Sequence, residues 1–347
     1  MWNNEIYLND IDMVLNTKSI DYKKLKNKTV LVTGATGIIG SLIVNTLLMA
    51  NKKKKLNCKV IAMVRNIEKA NKMYEEQLKE DLNLNFLVGD IKEKIDCKDA
   101  VDYIVHAASE TSSKMFVNAP LEIIDTILMG TRNVLDLAKE KKASKTIFLS
   151  TMEVYGRPET DEKIDEKHST NLMTCEVRDC YPISKRTAEN LCFCYSKVND
   201  IKIDVLRLTQ TFGPGVRYDD GRVFAEFARC AIEGRDIILH TKGETKRSYL
   251  YLADAVSAIL TVLTNEKSNE VYNVANEDTY CSIYEMANLV AKGHNIKVKI
   301  ELDDIEKYGF SKTLHLNLDT SKLQQLGWKA TKSLEEMFDN LIKTMKE

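Results

Sequence analysis

A short β-branched run that empties into a glycine-spaced loop limits what this chain can fold into. Thr29–Thr33 reads as a strand and leads directly into Thr33-Gly34-Ala35-Thr36-Gly37-Ile38-Ile39-Gly40. Gly34 lets the chain turn sharply, Gly37 lets backbone approach a pyrophosphate, and Gly40 lets a helix pack on the strand. The helix N-terminus then turns aligned N–H groups towards the anion. In this strand–turn–helix setting the triplet predicts a dinucleotide site over Gly34, Thr36, Gly37, Ile38, Ile39 and Gly40.

Further strands are expected at Lys59–Val64, Asn85–Val88, Tyr103–Val105, Thr146–Ser150 and Lys202–Leu208. Each is apolar almost throughout instead of alternating, the pattern of a strand buried on both faces. Between them, Ile39, Leu42, Ile43, Leu47 and Ala50 make one helical stripe, and Val134, Leu135 and Ala138 belong to another. This alternation predicts an α/β fold with a doubly wound, Rossmann-like parallel sheet and right-handed crossovers. The later third reads differently, with helices at Phe224–Ile232 and Ile283–Val290 and short strands at Ile237–Leu239, Val271–Val274 and Lys297–Ile300. The expected division is an N-terminal surface extension, 1–27, a dinucleotide-binding domain, 28–211 plus 245–275, and a smaller mixed α/β substrate domain, 212–244 plus 276–347. The Lys52–Lys55 run is expected to be a solvated loop.

Composition narrows the function classes. Fifty Lys+Arg against 51 Asp+Glu leave a net charge of −1, which argues against a nucleic-acid binder working through an overall positive field. Hydrophobic content of 44% with 29% charged residues excludes a disordered chain. The eight cysteines contain no C-x-x-C pair and the histidines no ligand spacing, so reduced thiols and no metal site are expected. The opening MWNNEIYLNDID lacks the basic start and apolar core of a secretory signal. The longest apolar stretch, Ser41–Ala50, is interrupted by Asn45 and Thr46 and is too short to span a bilayer. A cytoplasmic protein engaging neither membrane nor nucleic acid is expected.

A NAD site ordinarily places an acid at the end of the second strand for the ribose 2′-hydroxyl. Here that strand ends Met63-Val64-Arg65-Asn66. Arg65 suits a 2′-phosphate, so NADP is favoured over NAD; stacking of Arg65 on adenine without discrimination is the alternative. Asp90, ending the third strand, suits the adenine amino group or a helix N-cap.

Tyr181-Pro182-Ile183-Ser184-Lys185 sets a phenol and an ammonium four residues apart, on one face of a helix. The ammonium and an oxidised nicotinamide both favour the phenolate, so the Tyr181 pKa is expected to fall towards neutrality. A phenol so tuned takes or returns the proton of a sugar hydroxyl while hydride moves at the same carbon. Upstream, Leu149-Ser150-Thr151-Met152-Glu153-Val154-Tyr155-Gly156 follows a strand at the carboxyl edge of the sheet. Thr151 offers a hydroxyl to the reacting oxygen, and Glu153 a second acid or base. The plain alternatives are a turn role for Thr151 and a structural carboxylate for Glu153. His106 is expected to pack instead of catalysing.

Together these residues resemble the extended short-chain dehydrogenase/reductase family of nucleotide-sugar epimerases, dehydratases and decarboxylases. The resemblance runs from about Lys28 to Trp328. It includes G-D at 89–90, H-A-A at 106–108, T-M-E-V-Y-G at 151–156, Y-P-I-S-K at 181–185, R-L-T-Q-T-F-G-P-G at 207–215 and K-R-S-Y-L-Y-L-A-D at 246–254. It implies catalytic roles for Thr151, Glu153, Tyr181 and Lys185, with Lys185 also on the nicotinamide ribose. It implies cofactor contacts from Ile91, Ala107, Ala108 and Ser109. It places Arg247 on the diphosphate of a nucleotide sugar, Arg222 as a weaker candidate for the same anion, and Gln210 where many relatives carry a substrate-contacting Asn. Ile127 likewise replaces an Asn.

The stretch 151–153 resembles the T-D-E of 4,6-dehydratases, but Met152 replaces the Asp that would protonate a leaving hydroxyl. It equally resembles the T-S-E of UDP-glucuronate decarboxylases, as do Arg178-Asp179-Cys180-Tyr181 and Lys185-Arg186-Thr187-Ala188-Glu189. The resemblance implies transient oxidation of a nucleotide sugar to a keto sugar, by an epimerase or decarboxylase before a dehydratase. A NADPH-dependent keto-sugar reductase and a non-catalytic dinucleotide-binding protein are the alternatives. Relatives commonly dimerise through two helices, for which 125–140 and 183–197 are candidates.

Overall fold

The computed structural model describes Trp2 and residues 4–80, 82–302 and 313–346. The chain opens with α1 (Glu5–Leu15), capped by the Asn4 side chain, which accepts the Tyr7 N–H. After β1 (Thr29–Thr33) come α2 (Ile38–Lys54), β2 (Lys59–Val64), α3 (Ile67–Met73), α4 (Glu75–Lys79), β3 (Leu84–Val88), β4 (Tyr103–His106), α5 (Ser113–Asn118), α6 (Pro120–Lys141), β5 (Lys145–Thr151), β6 (Lys163–Ile164), α7 (Cys180–Asn199) and β7 (Ile203–Leu208). The later elements are β8 (Gln210–Phe212), α8 (Val223–Glu233), β9 (Ile237–Leu239), β10 (Lys246–Tyr251), α9 (Leu252–Thr264), β11 (Val271–Val274), β12 (Asn276–Ser282), α10 (Ile283–His294), β13 (Val298–Ile300), β14 (His315–Leu318), α11 (Ser321–Gln324) and α12 (Leu334–Met345).

The seven strands of the main sheet run in the order β3-β2-β1-β4-β5-β7-β11, all parallel. The expected doubly wound architecture is therefore present. The order reverses between β1 and β4, which opens a crevice at their carboxyl ends, where such folds bind ligands. Strand positions match the apolar runs to within a residue at most ends, because strands covered on both faces carry an unbroken apolar signal. A second sheet, β12-β10-β14-β6 with β8 alongside β10, continues from β7 through Thr209. The pair β9–β13 stands apart.

Two differences from expectation have plain causes. Lys52, Lys53 and Lys54 are the last turn of α2 and not a loop. Cations favour a helix C-terminus, and Lys52 and Lys53 also pair with Glu80 and Asp12 at 2.7 and 2.5 Å. The second is α9, which carried no helical stripe in the sequence because all of its residues are buried; a helix covered on every side has no polar face to mark its period. α1 lays Tyr7, Ile11, Val14 and Leu15 into the same core as α2 and α9.

Candidate active site

The loop after β1 is shaped by what a side chain would strike. Gly34 has φ +66°, and a Cβ there would lie 2.8 Å from the Ala107 and Ala108 backbone. A Cβ on Gly40 would lie 2.3 Å from the Gly34 carbonyl oxygen. Gly37 differs: it is exposed, caps α2 without a side-chain hydrogen bond, and its Cβ would meet only the Gly34 oxygen, at 3.3 Å. The first N–H groups of α2 therefore face an open cradle bordered by Thr36. Ile38 and Ile39 pack back onto the core, and the Tyr74 hydroxyl donates to the Ala35 carbonyl at 2.5 Å. This cradle fits a dinucleotide pyrophosphate.

Around it, Thr33 Oγ1 accepts the Ala108 N–H at 3.1 Å and contacts His106 Nδ1 at 2.8 Å. Burial, helped by Lys185, pushes the His106 pKa down to about 3, so the neutral ring packs and bridges, as expected. Arg65 is exposed at the end of β2. Asp90 accepts the Lys92 N–H at 2.9 Å in a turn of its own, and Ile91 is buried below it against Gly130. The Ser109 hydroxyl donates to the Glu110 carbonyl at 3.3 Å.

Thr151 ends β5 and Tyr181 lies in the first turn of α7, and the Thr151 hydroxyl stands close enough to the phenol to pull its pKa down. Lys185, one turn along α7, donates to the Leu149 carbonyl at 2.8 Å and lies 4.8 Å over the Phe148 ring. All three are at most 8% exposed. Burial lowers the Lys185 pKa to about 8, opposed by Glu189. The expected fall in the Tyr181 pKa is corrected: burial first, and then the Glu153 carboxylate, push the phenol well up, while Thr151 and Arg178 pull it down. A neighbouring cation can be read from sequence, whereas the cost of burying a phenolate cannot.

Glu153 meets Arg178 at 2.6 Å. Phe116 from α5 stacks on Tyr181, with ring centroids 4.2 Å apart and planes 8° from parallel. Met152 is buried in an apolar cluster with Val154, Tyr155 and Ile164, and its sulfur accepts from Thr209 at 3.1 Å. Behind the site Glu189 accepts from Ser150 at 2.5 Å and from Arg207 at 2.6 Å. On the second sheet, Arg247 donates to Gln210 at 3.1 Å and keeps a buried Nε without a partner. Arg222 is committed to Asp220 through a two-pronged contact, at 2.9 and 2.6 Å. Ile127 is buried in α6.

Phe116 and Glu110 were missed by the sequence reading. No spacing ties either to Tyr181, and the loop after β4 brings them there. Arg178 carried a usable signal, its place in the Arg178-Asp179-Cys180-Tyr181 stretch that resembles the decarboxylases, three residues before Tyr181 on the turn that leads into α7. Among the described residues no group of three or more His, Cys, Asp or Glu could hold a metal ion, and no helix is long and apolar enough to cross a membrane.

The family model described as "NAD dependent epimerase/dehydratase family" matches residues 30–275. UDP-glucuronic acid decarboxylase 1 of Xenopus tropicalis is 29% identical over 319 residues, spanning 91% of this chain and 71% of that protein. UDP-N-acetyl-alpha-D-glucosaminuronate decarboxylase of Bacillus cytotoxicus is 29% identical over 310 residues, spanning 86% and 91%. Among solved structures, UDP-glucose 4-epimerase of Thermotoga maritima superposes with a TM-score of 0.77 at 23% identity, covering 92% of this chain and 98% of that one. With its glycine cradle, its threonine–tyrosine–lysine set and a family match over most of its length, this chain belongs to the NAD-dependent epimerase/dehydratase family of enzymes.

Proposed function

We propose that the protein is a nucleotide-sugar decarboxylase that acts on a UDP-linked hexuronate by transient oxidation at the 4-position. The observation that carries this reading is the 151–153 stretch: Thr151 and Glu153 both act on the Tyr181 phenol, and the residue between them in sequence, Met152, is apolar and buried. Gly34, Gly37, Gly40 and the α2 terminus would hold the dinucleotide, with Lys185 on its ribose. When bound, the nicotinamide supplies the acceptor and later the donor of one hydride. Tyr181 takes the proton of the 4-hydroxyl, with Thr151 orienting that oxygen. The resulting ketone is β to the carboxylate, so the C5–C6 bond breaks, CO₂ leaves, and its electron pair passes into the carbonyl. A proton delivered to C5 from the Tyr181–Glu153 side restores the ketone for re-reduction. No hydroxyl is expelled, so a thioether at position 152 is no obstacle. Water elimination would need an acid there. The decarboxylases of similar sequence support the same chemistry.

Arg247 and Gln210 are assigned to the substrate diphosphate and sugar, with Arg222 as an auxiliary once it is released from Asp220. Arg65 supports NADP use. Arg65→Ala is expected to cut NADP affinity about tenfold and leave NAD affinity nearly unchanged, the loss of one charge-assisted contact. Exposed Leu121 and Met129 on α6 and Val198 on α7 support pairing with a second copy, which sedimentation would test. The function itself is tested by incubating the protein with UDP-, CDP-, GDP- and dTDP-sugars, with and without added NAD or NADP, and weighing the products. Loss of the mass of CO₂ from a hexuronate supports decarboxylation. An unchanged mass with a new isomer, loss of water, or gain of two hydrogens would replace it with epimerisation, dehydration or net reduction.

A further inference from the structure

Arg178 has no part in the chemistry just described, yet it touches two of the side chains that bear on Tyr181, Glu153 and Phe116. It lies on the 3-10 turn Val177–Asp179 that leads into α7. One end of its guanidinium meets Glu153 at 2.6 Å, and its Cζ lies 5.3 Å from the centre of the Phe116 ring, the ring stacked on Tyr181. Its Nε is buried with no partner. Buried N–H groups are nearly always satisfied, and nearby Arg157, which pins the same turn through Glu176 and Asp179 at 2.8 Å each, offers the contrast of a purely structural guanidinium. From this geometry we infer that Arg178 is a positioning residue: it holds Glu153 and Phe116 against the Tyr181 phenol and offsets the field that Glu153 imposes there. The inference rests on the reading of Tyr181 as the acid/base group.

The groups facing the phenol come from five elements. They are Thr151 on β5, Glu153 just after it, Glu110 on the loop after β4, Phe116 on α5, and Arg178 before α7. Glu153 and Glu110 both hold the proton on Tyr181, and Arg178 opposes them. Without the guanidinium, two carboxylates face the phenol and the nearest opposing cation is gone. The proton-accepting form of Tyr181, already held down by burial, then becomes scarcer still at neutral pH.

The test compares Arg178→Met, Glu153→Gln and the double variant in two measurements on the intact protein. One is the pH dependence of turnover. The other is an ultraviolet titration of tyrosinate, with the Tyr181→Phe titration subtracted. Arg178→Met is expected to move the Tyr181 midpoint up by about one pH unit, roughly a tenfold loss of rate at neutral pH. Glu153→Gln is expected to move the midpoint down, and the double variant to return it near the starting value. Arg178→Lys should restore most of the shift, since it returns the charge without the fork. Shifts of the same sign in both single variants, or a loss of rate with an unmoved midpoint, would overturn the inference and leave Arg178 a structural residue. Near-normal turnover in Tyr181→Phe would instead overturn the acid/base reading, and the subtracted titration would still report whether Arg178 acts on the phenol.

Discussion

On the wall of the crevice formed by β1, α2 and the loop after β4, the surface proposed for the dinucleotide is main chain: Gly34 and Gly40 let backbone segments meet, and Gly37 keeps a side chain out of the cradle. In the reading proposed above, the opposite wall comes from β8, β10 and the segment before α8, whose long polar side chains are tied to one another: Arg247 to Gln210 and Arg222 to Asp220. The two walls therefore fail differently. A backbone surface is lost when any Cβ intrudes, whereas a side-chain surface weakens one contact at a time. The glycine wall makes this difference testable within itself. At Gly40 an added Cβ strikes backbone at 2.3 Å, whereas at Gly37 it enters the cradle. Gly37→Val is thus expected to fold with a nearly unchanged melting temperature and lose dinucleotide affinity by at least ~100-fold. Gly40→Val is expected to lose the fold. Calorimetric titration with a melting curve checks both, and a Gly37→Val protein that binds normally would break the comparison.

The next largest effect belongs to Tyr181. Tyr181→Phe is expected to lower turnover by at least ~100-fold while dinucleotide affinity changes little, because the ring still stacks on Phe116 and only the hydroxyl is gone. Equal losses in turnover and dinucleotide affinity would mean that the phenol belongs to the cofactor wall instead.

The contrast between the walls also explains what could be read from sequence. Gly34, Gly37 and Gly40 were legible because a backbone turn and a close approach demand one residue type at fixed spacing. Tyr181 and Lys185 were legible because a helix brings residues four apart onto one face. The seven-stranded sheet was legible because each strand is apolar throughout. Phe116, Glu110 and the Glu153–Arg178 pair were not, since they meet through loops whose path no periodicity records. The direction of the Tyr181 shift was misread for a related reason: a nearby cation is visible in sequence, and the depth of burial is not.

The substrate wall should respond in binding more than in turnover. Arg247→Ala is expected to raise KM for a nucleotide sugar by about tenfold to a hundredfold, the cost of one charge-assisted contact, with kcat reduced less. Arg222→Ala should fall well short of this, because Asp220 already holds that guanidinium at 2.6 Å. Equal effects would mean that Asp220 releases Arg222 when substrate binds.

The smallest expected effect lies away from both walls, where α1 meets α9 and α12, and it separates burial from function. Asp10 is 4% exposed and accepts the Tyr251 hydroxyl at 2.8 Å. Burial raises its pKa to about 7, with Asp254 adding to the rise and Tyr251 and Lys332 opposing it. A carboxyl whose folded pKa lies above its unfolded value binds its proton more tightly when folded. Its contribution to stability is therefore full below about pH 4 and is lost as pH rises through about 7. A side-chain amide cannot ionise, so Asp10→Asn is expected to be the more stable protein at pH 8, by about 1 kcal/mol or roughly 2 °C in melting temperature, with the gain disappearing by about pH 5. The same burial that raises the Tyr181 pKa acts on Asp10, which lines a small cavity with Ile6, Asn9, Met13, Lys332 and Asn340, but among the described residues no arginine is bonded to a carboxylate beside it. If Asp10→Asn changed turnover as well as stability, the rear of the sheet would be coupled to the crevice through Tyr251 and β10, and the two walls could no longer be treated as independent of the scaffold behind them.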